Sequence, residues 1–385
     1  MKKDKKNNKK RGSNAVQMLI FVLIGAAIGF VSGSFVSDKL DGYGILLGTA
    51  LQLAIMLVAY YLHIIIHEGG HLIAGLLSGY QFGSFRIGSL MLTKNNGRLE
   101  LKKMSLAGTG GQCLMRVPEG NAEDAPVIFY NMGGVILNII IAAMSIIFAS
   151  FISSPIAYTF FVMMALMGFI VAAMNGIPLK LAMINNDGAN ALELARSKES
   201  KRFFFNQFKI IENTSNGIRL RDMDDSLFPM PSEDGMKESI SATGAVLYEN
   251  RLMDQGRYDE ALELIDRLLC GDNAVLGLYK SLLLCDKMTV LLLSGERYDE
   301  VKEQYHSQSY RMFKKQMKNN ISLTRLDYAY ALLLEGNESL AEQMLAQFEK
   351  CAKTHPYESD VESEREILAY IDRVYEEKKQ SIESD

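Results

Sequence analysis

The 385-residue sequence predicts a mainly α-helical membrane protein, in which a small β-hairpin interrupts the membrane domain and a domain of helical repeats follows it. Long apolar runs occupy the chain up to Pro178, whereas Asp, Glu, Lys and Arg are frequent beyond it. An Asn-Gly pair between two short segments marks the hairpin. The formal net charge of −4 is too small to indicate a nucleic-acid partner.

Four stretches are long and apolar enough to cross a hydrocarbon core, which takes about 20 residues. They contain no Asp, Glu, Lys or Arg and cover residues 15–36, 43–66, 127–151 and 155–177. As buried helices of a soluble protein, they would need a larger surrounding shell than this chain supplies. The sequence therefore predicts four spans in contact with a lipid bilayer.

Basic residues before the first span determine the predicted orientation. Seven Lys and Arg residues between Lys2 and Arg11 place the N-terminus in the cytoplasm under the positive-inside rule. The first span exceeds the about 7–15 residues of a signal-peptide core and lacks a cleavage site, which favours an uncleaved anchor. Residues 37–42 are then external, and the C-terminal half is cytoplasmic in a multi-pass protein of the cell membrane. Four cysteines without CxxC spacing agree with a reducing compartment.

Residues 80–125, between the second and third spans, are too polar for a further span. Segments 90–94 and 98–104 flank Asn95-Asn96-Gly97, and Asn-Gly supplies the positive φ angles of a tight turn. We expect a half-buried hairpin at the membrane surface, and the alternative is an edge that pairs with an extended substrate. The segment from Gly108 to Gln112 is expected to be a loop, and it lacks the ending of a phosphate-binding loop.

The sequence His67-Glu68-Gly69-Gly70-His71 stands at the cytoplasmic end of the second predicted span. Two histidines four residues apart lie on the same face of a helix, so both imidazoles can bind one zinc ion. Glu68 is then placed to take a proton from zinc-bound water. Ionisable groups at the end of an apolar span are costly and seldom lack a role, which favours a metal site over side chains that only reach for water.

The third ligand has two candidates, since a catalytic zinc ion usually has three protein ligands and one open position. Asp187 follows the fourth span on the same side, and Gly188 permits a sharp turn beside it. The alternative role of Asp187 is a plain turn or the cap of a helix over residues 189–196. His63 precedes His67 by four residues, and its alternative role is a structural hydrogen bond.

Residues 43–190 resemble the site-2 protease family of intramembrane zinc metalloproteases. The likeness rests on the motif from His67 to His71, on Gly133-Gly134 with Asn138, and on Asn175-x-x-Pro178 followed by Asn186-Asp187-Gly188. It implies that His67, His71 and Asp187 bind Zn2+ and that Glu68 is the catalytic base. It also implies that Asn138 and Asn175 bind substrate, with interhelical hydrogen bonding as the alternative for both.

The resemblance implies hydrolysis of peptide bonds in membrane-spanning or membrane-bound peptides near the cytoplasmic face. Such a substrate has to unwind locally, and the hairpin is a candidate clamp for the extended strand. This chain differs from the family in the longer separation of Asn175 from Asp187 and in the absence of a second proline. The alternative is a non-catalytic membrane scaffold that recruits proteins through its repeats. A metal-dependent transporter is disfavoured, because its ionisable groups would lie nearer the middle of the bilayer.

Glycine-led motifs recur in the polar half at intervals of 39 and 41 residues, beginning at Gly256, Gly295 and Gly336. They predict helix–turn–helix repeats over residues 241–375, similar to tetratricopeptide repeats although longer than their usual period of about 34. An ordinary helical bundle is the alternative. Stacked repeats would offer a concave surface to a protein partner. The remaining predicted parts are a basic cytoplasmic tail (1–14), a helical connector (191–240) and a loose tail (376–385).

Overall fold

The computed structural model describes residues 22–95, 97–104, 109–117, 126–179, 183–317 and 319–384. Residue contacts divide the chain into two compact units, which are Met1–Gly70 with Gly133–Ile177 and His71–Met132 with Pro178–Asp385. The described part is mainly helical with a small antiparallel sheet, as predicted. The predicted basic tail and the first residues of the first predicted span lie outside the described residues.

Four helices of the described chain are long and apolar enough to cross a membrane. They are α1 (Val22–Tyr43), α2 (Ile45–Leu77), α3 (Val127–Ala149) and α4 (Pro155–Gly176). Helices α3 and α4 agree with the predicted spans 127–151 and 155–177 to within two residues. Large apolar side chains along these helices are exposed, including Ile45 at 93% and Leu46 at 87%. Such a surface is unfavourable in water and suits lipid, so the structure supports a membrane protein.

Helix α1 extends further than the sequence predicts. It continues to Tyr43, whereas residues 37–42 are predicted to form an external connection. Charged residues in that segment suggest a break, but Lys39 Nζ lies 5.3 Å from the ring centroid of Tyr158, a favourable cation–π contact. The chain breaks at Gly44 instead, where a φ of 73° favours glycine.

Helix α2 also extends beyond its predicted end at residue 66. It has 33 residues and is therefore about 50 Å long at a rise of about 1.5 Å per residue. Polar side chains at 67–71 do not interrupt its backbone hydrogen bonds, and apolar residues continue the helix to Leu77. The metal motif consequently lies inside a continuous helix rather than at its end.

Glycines allow helices α2 and α3 to approach closely within the first unit. A Cβ atom on Gly70 would lie 2.7 Å from Gly134 Cα and would also clash with the carbonyl oxygen of Gly133. A Cβ atom on Gly134 would lie 2.6 Å from the imidazole Cε1 of His67. By contrast, no described atom lies within 4 Å of a Cβ atom on Gly69. Small residues at helix contacts permit this kind of backbone approach in lipid.

Among the described residues, the second unit contains a four-stranded antiparallel sheet in the order β3-β2-β1-β4. Its strands are β1 (Gln81–Ile87), β2 (Leu90–Asn95), β3 (Arg98–Lys103) and β4 (Gly111–Arg116). The β2–β3 hairpin confirms the prediction, since Asn95 pairs with Arg98 and Gly97 has a φ of 80°. The sheet is larger than this hairpin, because the segment expected to be a loop enters β4 at Gly111.

Strand β3 is an edge of this sheet, and the chain itself holds one end of it. Lys103 N donates to the carbonyl oxygen of Thr354 at 3.0 Å. Further along β3, Leu99 and Leu101 are 62% and 70% exposed. The apolar part of this edge strand is therefore accessible, whereas its C-terminal end is already paired.

Helices occupy the chain from Asp187 to Ser384. They are α5 (Asp187–Arg196), α6 (Lys198–Ser215), α7 (Ser239–Asp254), α8 (Tyr258–Cys270), α9 (Gly277–Ser294), α10 (Tyr298–His306), α11 (Gln308–Gln316), α12 (Ile321–Ala329), α13 (Glu338–Ala352) and α14 (Glu358–Ser384). The predicted connector, 191–240, consists largely of α5, α6 and short 3-10 turns. The predicted loose tail, 376–385, is helical up to Ser384 as the end of α14.

The three predicted glycine turns join consecutive helices. Gly256, Gly295 and Gly336 have φ angles of 71°, 75° and 60°. They separate α7 from α8, α9 from α10, and α12 from α13. A side chain is strained at such angles, which gives a physical reason for glycine at each turn.

A buried arginine connects three of these helices. Arg325 of α12 is 2% exposed, and its guanidinium group lies 2.5 Å from Asp286 of α9 and 2.8 Å from Glu364 of α14. A buried charge needs such partners, because desolvation would otherwise destabilise the fold. The same helices share one large apolar core.

We predict that Gly70→Ala destabilises the protein by roughly 1–3 kcal/mol, because overpacking at a close contact costs about this much. Thermal unfolding in detergent micelles would measure the loss. Gly69→Ala is the matched control, since it adds the same methyl group to the same helix where no described atom is close. It should leave stability unchanged or raise it, because alanine is the better helix former. Equal melting temperatures for the two variants would contradict the close approach of the helices.

Candidate metal centre

Helix α2 holds the three residues of the predicted motif at buried positions. The exposed fractions of His67, Glu68 and His71 are 7%, 8% and 7%. The boundary between the two units falls between Gly70 and His71, inside this uninterrupted helix. The two histidines are therefore about one turn apart on one helix face, as the sequence predicts.

A backbone carbonyl determines the tautomer of His71. His71 Nδ1 lies 2.9 Å from the carbonyl oxygen of Tyr130, and a carbonyl oxygen can only accept, so Nδ1–H is the donor. In the neutral ring the lone pair is then on Nε2. That atom lies 3.4 Å from Asp187 Oδ2. His71 thus has the contact from Nδ1–H to a carbonyl that metal-binding histidines usually make.

Aromatic packing holds Tyr130 in place. Its ring stacks on Tyr80 at 5.4 Å between centroids, and its hydroxyl donates to the carbonyl oxygen of Cys113 in strand β4. Phe208 of α6 meets the Tyr130 ring edge-on at 5.7 Å. Burial raises the pKa of Tyr80 to about 12, so this ring stays neutral. The carbonyl group that orients His71 therefore belongs to a well-packed residue.

Asp187 is the first residue of helix α5. The helix cap is Asn186, whose side-chain oxygen accepts from the N–H groups of Ala189 and Leu179 at 3.0 Å each. The capping role considered for Asp187 therefore belongs to its neighbour. A carboxylate in the first turn of a helix is also favoured by the helix dipole.

The donor atoms of His67, His71 and Asp187 lie within 4.8 Å of one another. One continuous helix carries both histidines. Zinc bonds of about 2.0–2.2 Å at tetrahedral angles separate two ligand atoms by roughly 3.3–3.6 Å. The distance of 3.4 Å between His71 and Asp187 lies in this range and is long for an N–H···O hydrogen bond. Two imidazoles and one carboxylate are a donor set of catalytic zinc sites, so these residues fit Zn2+.

Asn138 of helix α3 bridges two histidines of helix α2 in the first unit. Its side chain is fully buried, and its amide atoms lie 2.9 Å from His63 Nδ1 and 3.1 Å from His67 Nδ1. His63 Nε2 lies 2.8 Å from the carbonyl oxygen of Met164. Both ring nitrogens of His63 thus have protein partners, which favours its structural role over ligation.

The polarity of these hydrogen bonds decides which nitrogen of His67 can bind a metal. His63 Nε2–H donates to Met164, so Nδ1 of a neutral His63 ring accepts. In the structure the amide oxygen of Asn138 faces His63 Nδ1 and its nitrogen faces His67 Nδ1. A half-turn of the amide exchanges these two atoms, so that the nitrogen donates to His63 and the oxygen accepts from His67 Nδ1–H, and both rings can be neutral. His67 consequently has its lone pair on Nε2. The opposite orientation requires a charged His63 inside an apolar helix, which is costly.

The two predicted substrate-binding asparagines make different contacts. Asn138 bonds to the two histidines described above, whereas Asn175 donates to the carbonyl oxygen of Val171 in its own helix at 2.9 Å. A substrate role stays a prediction for both. The contact of Asn138 supports an additional role in orienting His67.

Sequence reasoning missed two contacts of the candidate centre. Tyr130 acts through its backbone carbonyl group, which every residue type possesses, so no sequence signal marks it. Asn186 was overlooked although asparagine directly before a helix is a common cap. The preference of asparagine for this position would have identified Asn186, rather than Asp187, as the cap of the helix.

Comparison with protein-family models, with curated proteins and with solved structures finds no match to this chain.

We predict that Asn138→Leu weakens Zn2+ binding about 10- to 100-fold, because it removes the acceptor for His67 Nδ1–H. Competition with a chromogenic chelator would measure the affinity of the purified chain. Asn131→Leu is the matched control, because Asn131 is also buried in α3 and donates to the carbonyl oxygen of Val127 in the same helix. Its zinc affinity should equal that of the wild type. Unchanged affinity in Asn138→Leu would contradict the proposed hydrogen-bond polarity.

Proposed function

We propose that this chain is a membrane-embedded zinc metalloprotease of the site-2 protease type. The observation that carries the proposal is the convergence of His67, His71 and Asp187 beside Glu68 in a chain with four candidate spans. Its substrates are membrane-spanning or membrane-bound peptides, cut near the cytoplasmic face. The basic N-terminal residues support a multi-pass protein of the cell membrane with both termini in the cytoplasm.

Each residue has a distinct part in the proposed reaction. His67, His71 and Asp187 hold Zn2+, which when bound supplies Lewis-acid activation of water and of the peptide carbonyl group. The Glu68 carboxylate accepts a proton from the attacking water and passes it to the leaving nitrogen. Because Glu68 is 8% exposed, its carboxylate is largely shielded from bulk solvent.

Two further parts of the chain support handling of a peptide substrate. The exposed segment of edge strand β3 can pair with an extended peptide, and Leu99 and Leu101 provide apolar contacts beside it. The glycine turns of the C-terminal helices support a tetratricopeptide-like stack over residues 241–375. We propose that this stack binds a substrate or a regulatory protein.

The second candidate function is a non-catalytic membrane scaffold. The helical region favours it, because stacked helices commonly bind proteins. A scaffold or a structural metal site has no need for a carboxylate beside the first histidine. Glu68 therefore separates the two candidates experimentally.

We predict that Glu68→Gln abolishes cleavage and leaves Zn2+ binding intact, because the amide keeps the shape of the side chain but cannot accept the proton. The assay co-expresses the full chain with a panel of tagged single-span peptides and detects fragments by immunoblot. Metal content of the purified protein is measured in parallel. Glu212→Gln is the control, since Glu212 pairs with Lys209 in α6.

The two functions give opposite results in this assay. Cleavage by the wild type and the control, but not by Glu68→Gln, supports the protease. Persistent cleavage in Glu68→Gln would show that the base is another residue. A wild type that contains zinc and cuts no peptide of the panel would favour the scaffold.

A further inference from the structure

Helix α5, which begins with Asp187, is too short to be stable alone. It has 10 residues, whereas isolated helices shorter than about 12–15 residues are marginal in water. Its position therefore depends on contacts with the rest of the second unit. Leu194 provides one such contact, since it is fully buried in the same apolar cluster as Tyr130.

A buried carboxylate on α5, that of Glu193, caps helix α7. Glu193 is 6% exposed and accepts four hydrogen bonds. Its Oε2 atom accepts from Ser239 N at 3.0 Å and from Ser239 Oγ at 2.6 Å. Its Oε1 atom accepts from Ile240 N at 2.7 Å and from Ser200 Oγ at 3.0 Å. The carboxylate thus satisfies backbone N–H groups at the start of α7, where a negative charge is favoured.

Asn185, which lies just before helix α5, also forms a hydrogen bond to α7. Asn185 is 8% exposed and donates from its amide to Ser239 Oγ at 2.6 Å. Asn185 precedes Asp187 by two residues, and Glu193 follows it by six. The candidate metal ligand is therefore held on both sides by the same residue of α7.

We propose that Glu193 and Asn185 are positioning residues for Asp187, so that metal affinity at the centre depends on the N-terminus of helix α7. The proposal rests on the zinc site proposed above. A partner bound to the C-terminal helices could alter the site by shifting Ser239, since coupling between sites needs contacts of this kind. Removing a residue that hydrogen-bonds to a metal ligand usually changes affinity about 10- to 100-fold, which gives the scale for residues that hold the ligand's own helix.

Glu193→Gln tests this role in the full-length protein in detergent. The glutamine amide group would place N–H donors against the N–H groups of α7, so the contact should loosen. We expect zinc affinity to fall about 10-fold or more, measured by competition with a chelator. Hydrogen exchange of the metal-free protein should accelerate in residues 187–196. Ser239→Ala is the milder variant on the partner helix, and it should weaken zinc binding in the same direction.

Asp254→Asn is the matched control. Asp254 is a buried carboxylate at the other end of α7, and it accepts from Arg219 Nε and Arg221 N at 3.1 and 2.9 Å. Its substitution should lower the melting temperature without changing zinc affinity. This result separates a positioning role from a general loss of stability in α7.

The outcomes also separate this proposal from the proposed function. If the wild type binds no zinc, the metal site and the positioning role both fail. If the wild type binds zinc and both Glu193→Gln and Ser239→Ala keep its affinity, only the positioning role is overturned. If Asp254→Asn weakens zinc binding as much as Glu193→Gln, the effect reflects helix stability and the positioning role is likewise overturned.

Discussion

The hydrogen bond at Nδ1 of each histidine is the constraint on which the candidate metal centre depends. An imidazole can bind a metal through Nε2 only when its proton is held on Nδ1. The carbonyl oxygen of Tyr130 accepts that proton from His71. A half-turn of the Asn138 amide, which the contact of His63 with Met164 favours, gives His67 its acceptor. Both acceptors belong to buried residues, which shields them from competing water.

These acceptors are effective because the surrounding packing leaves little freedom. Gly70 and Gly134 permit the backbones of α2 and α3 to approach so closely that a methyl group on either would overlap the other helix. This contact places Asn138 within reach of His67. In the second unit, Tyr80 and Phe208 hold the Tyr130 ring from two directions. The orientation of His67 therefore depends on small residues of the first unit, and that of His71 depends on aromatic residues of the second.

Strong local patterns made part of this fold predictable. The third and fourth spans, the Asn-Gly hairpin and the glycine turns follow from the residues of each segment alone. Strands β1 and β4 were missed, and in β1 a register shift between Phe82 and Ser84 interrupts the alternation. The end of the first span was missed, because the partner of Lys39 lies on a helix more than a hundred residues away in the sequence.

In the candidate site, residues marked by their spacing within one helix were predictable, whereas contacts between residues far apart in the sequence were not. Spacing within one helix indicated His67, Glu68 and His71, since a helix has a known period. Resemblance to a family, rather than spacing, selected Asp187 over His63. The structure places Asp187 Oδ2 3.4 Å from His71 Nε2 and gives both nitrogens of His63 protein partners, whereas the ligand role of Asp187 stays a prediction. The carbonyl group of Tyr130 could not be predicted, since a backbone acceptor has no residue identity.

The three candidate ligands differ in what holds them. The histidines share one long helix, and their spacing survives as long as that helix is intact. Asp187 lies on the short helix α5. Leu194 of this helix is buried in an apolar cluster, and Glu193 accepts hydrogen bonds from the N-terminus of α7. Two histidines alone fall short of the three protein ligands of a catalytic zinc site. The proposed centre consequently requires helix α5 and its contacts with α7 to be folded, because they hold Asp187.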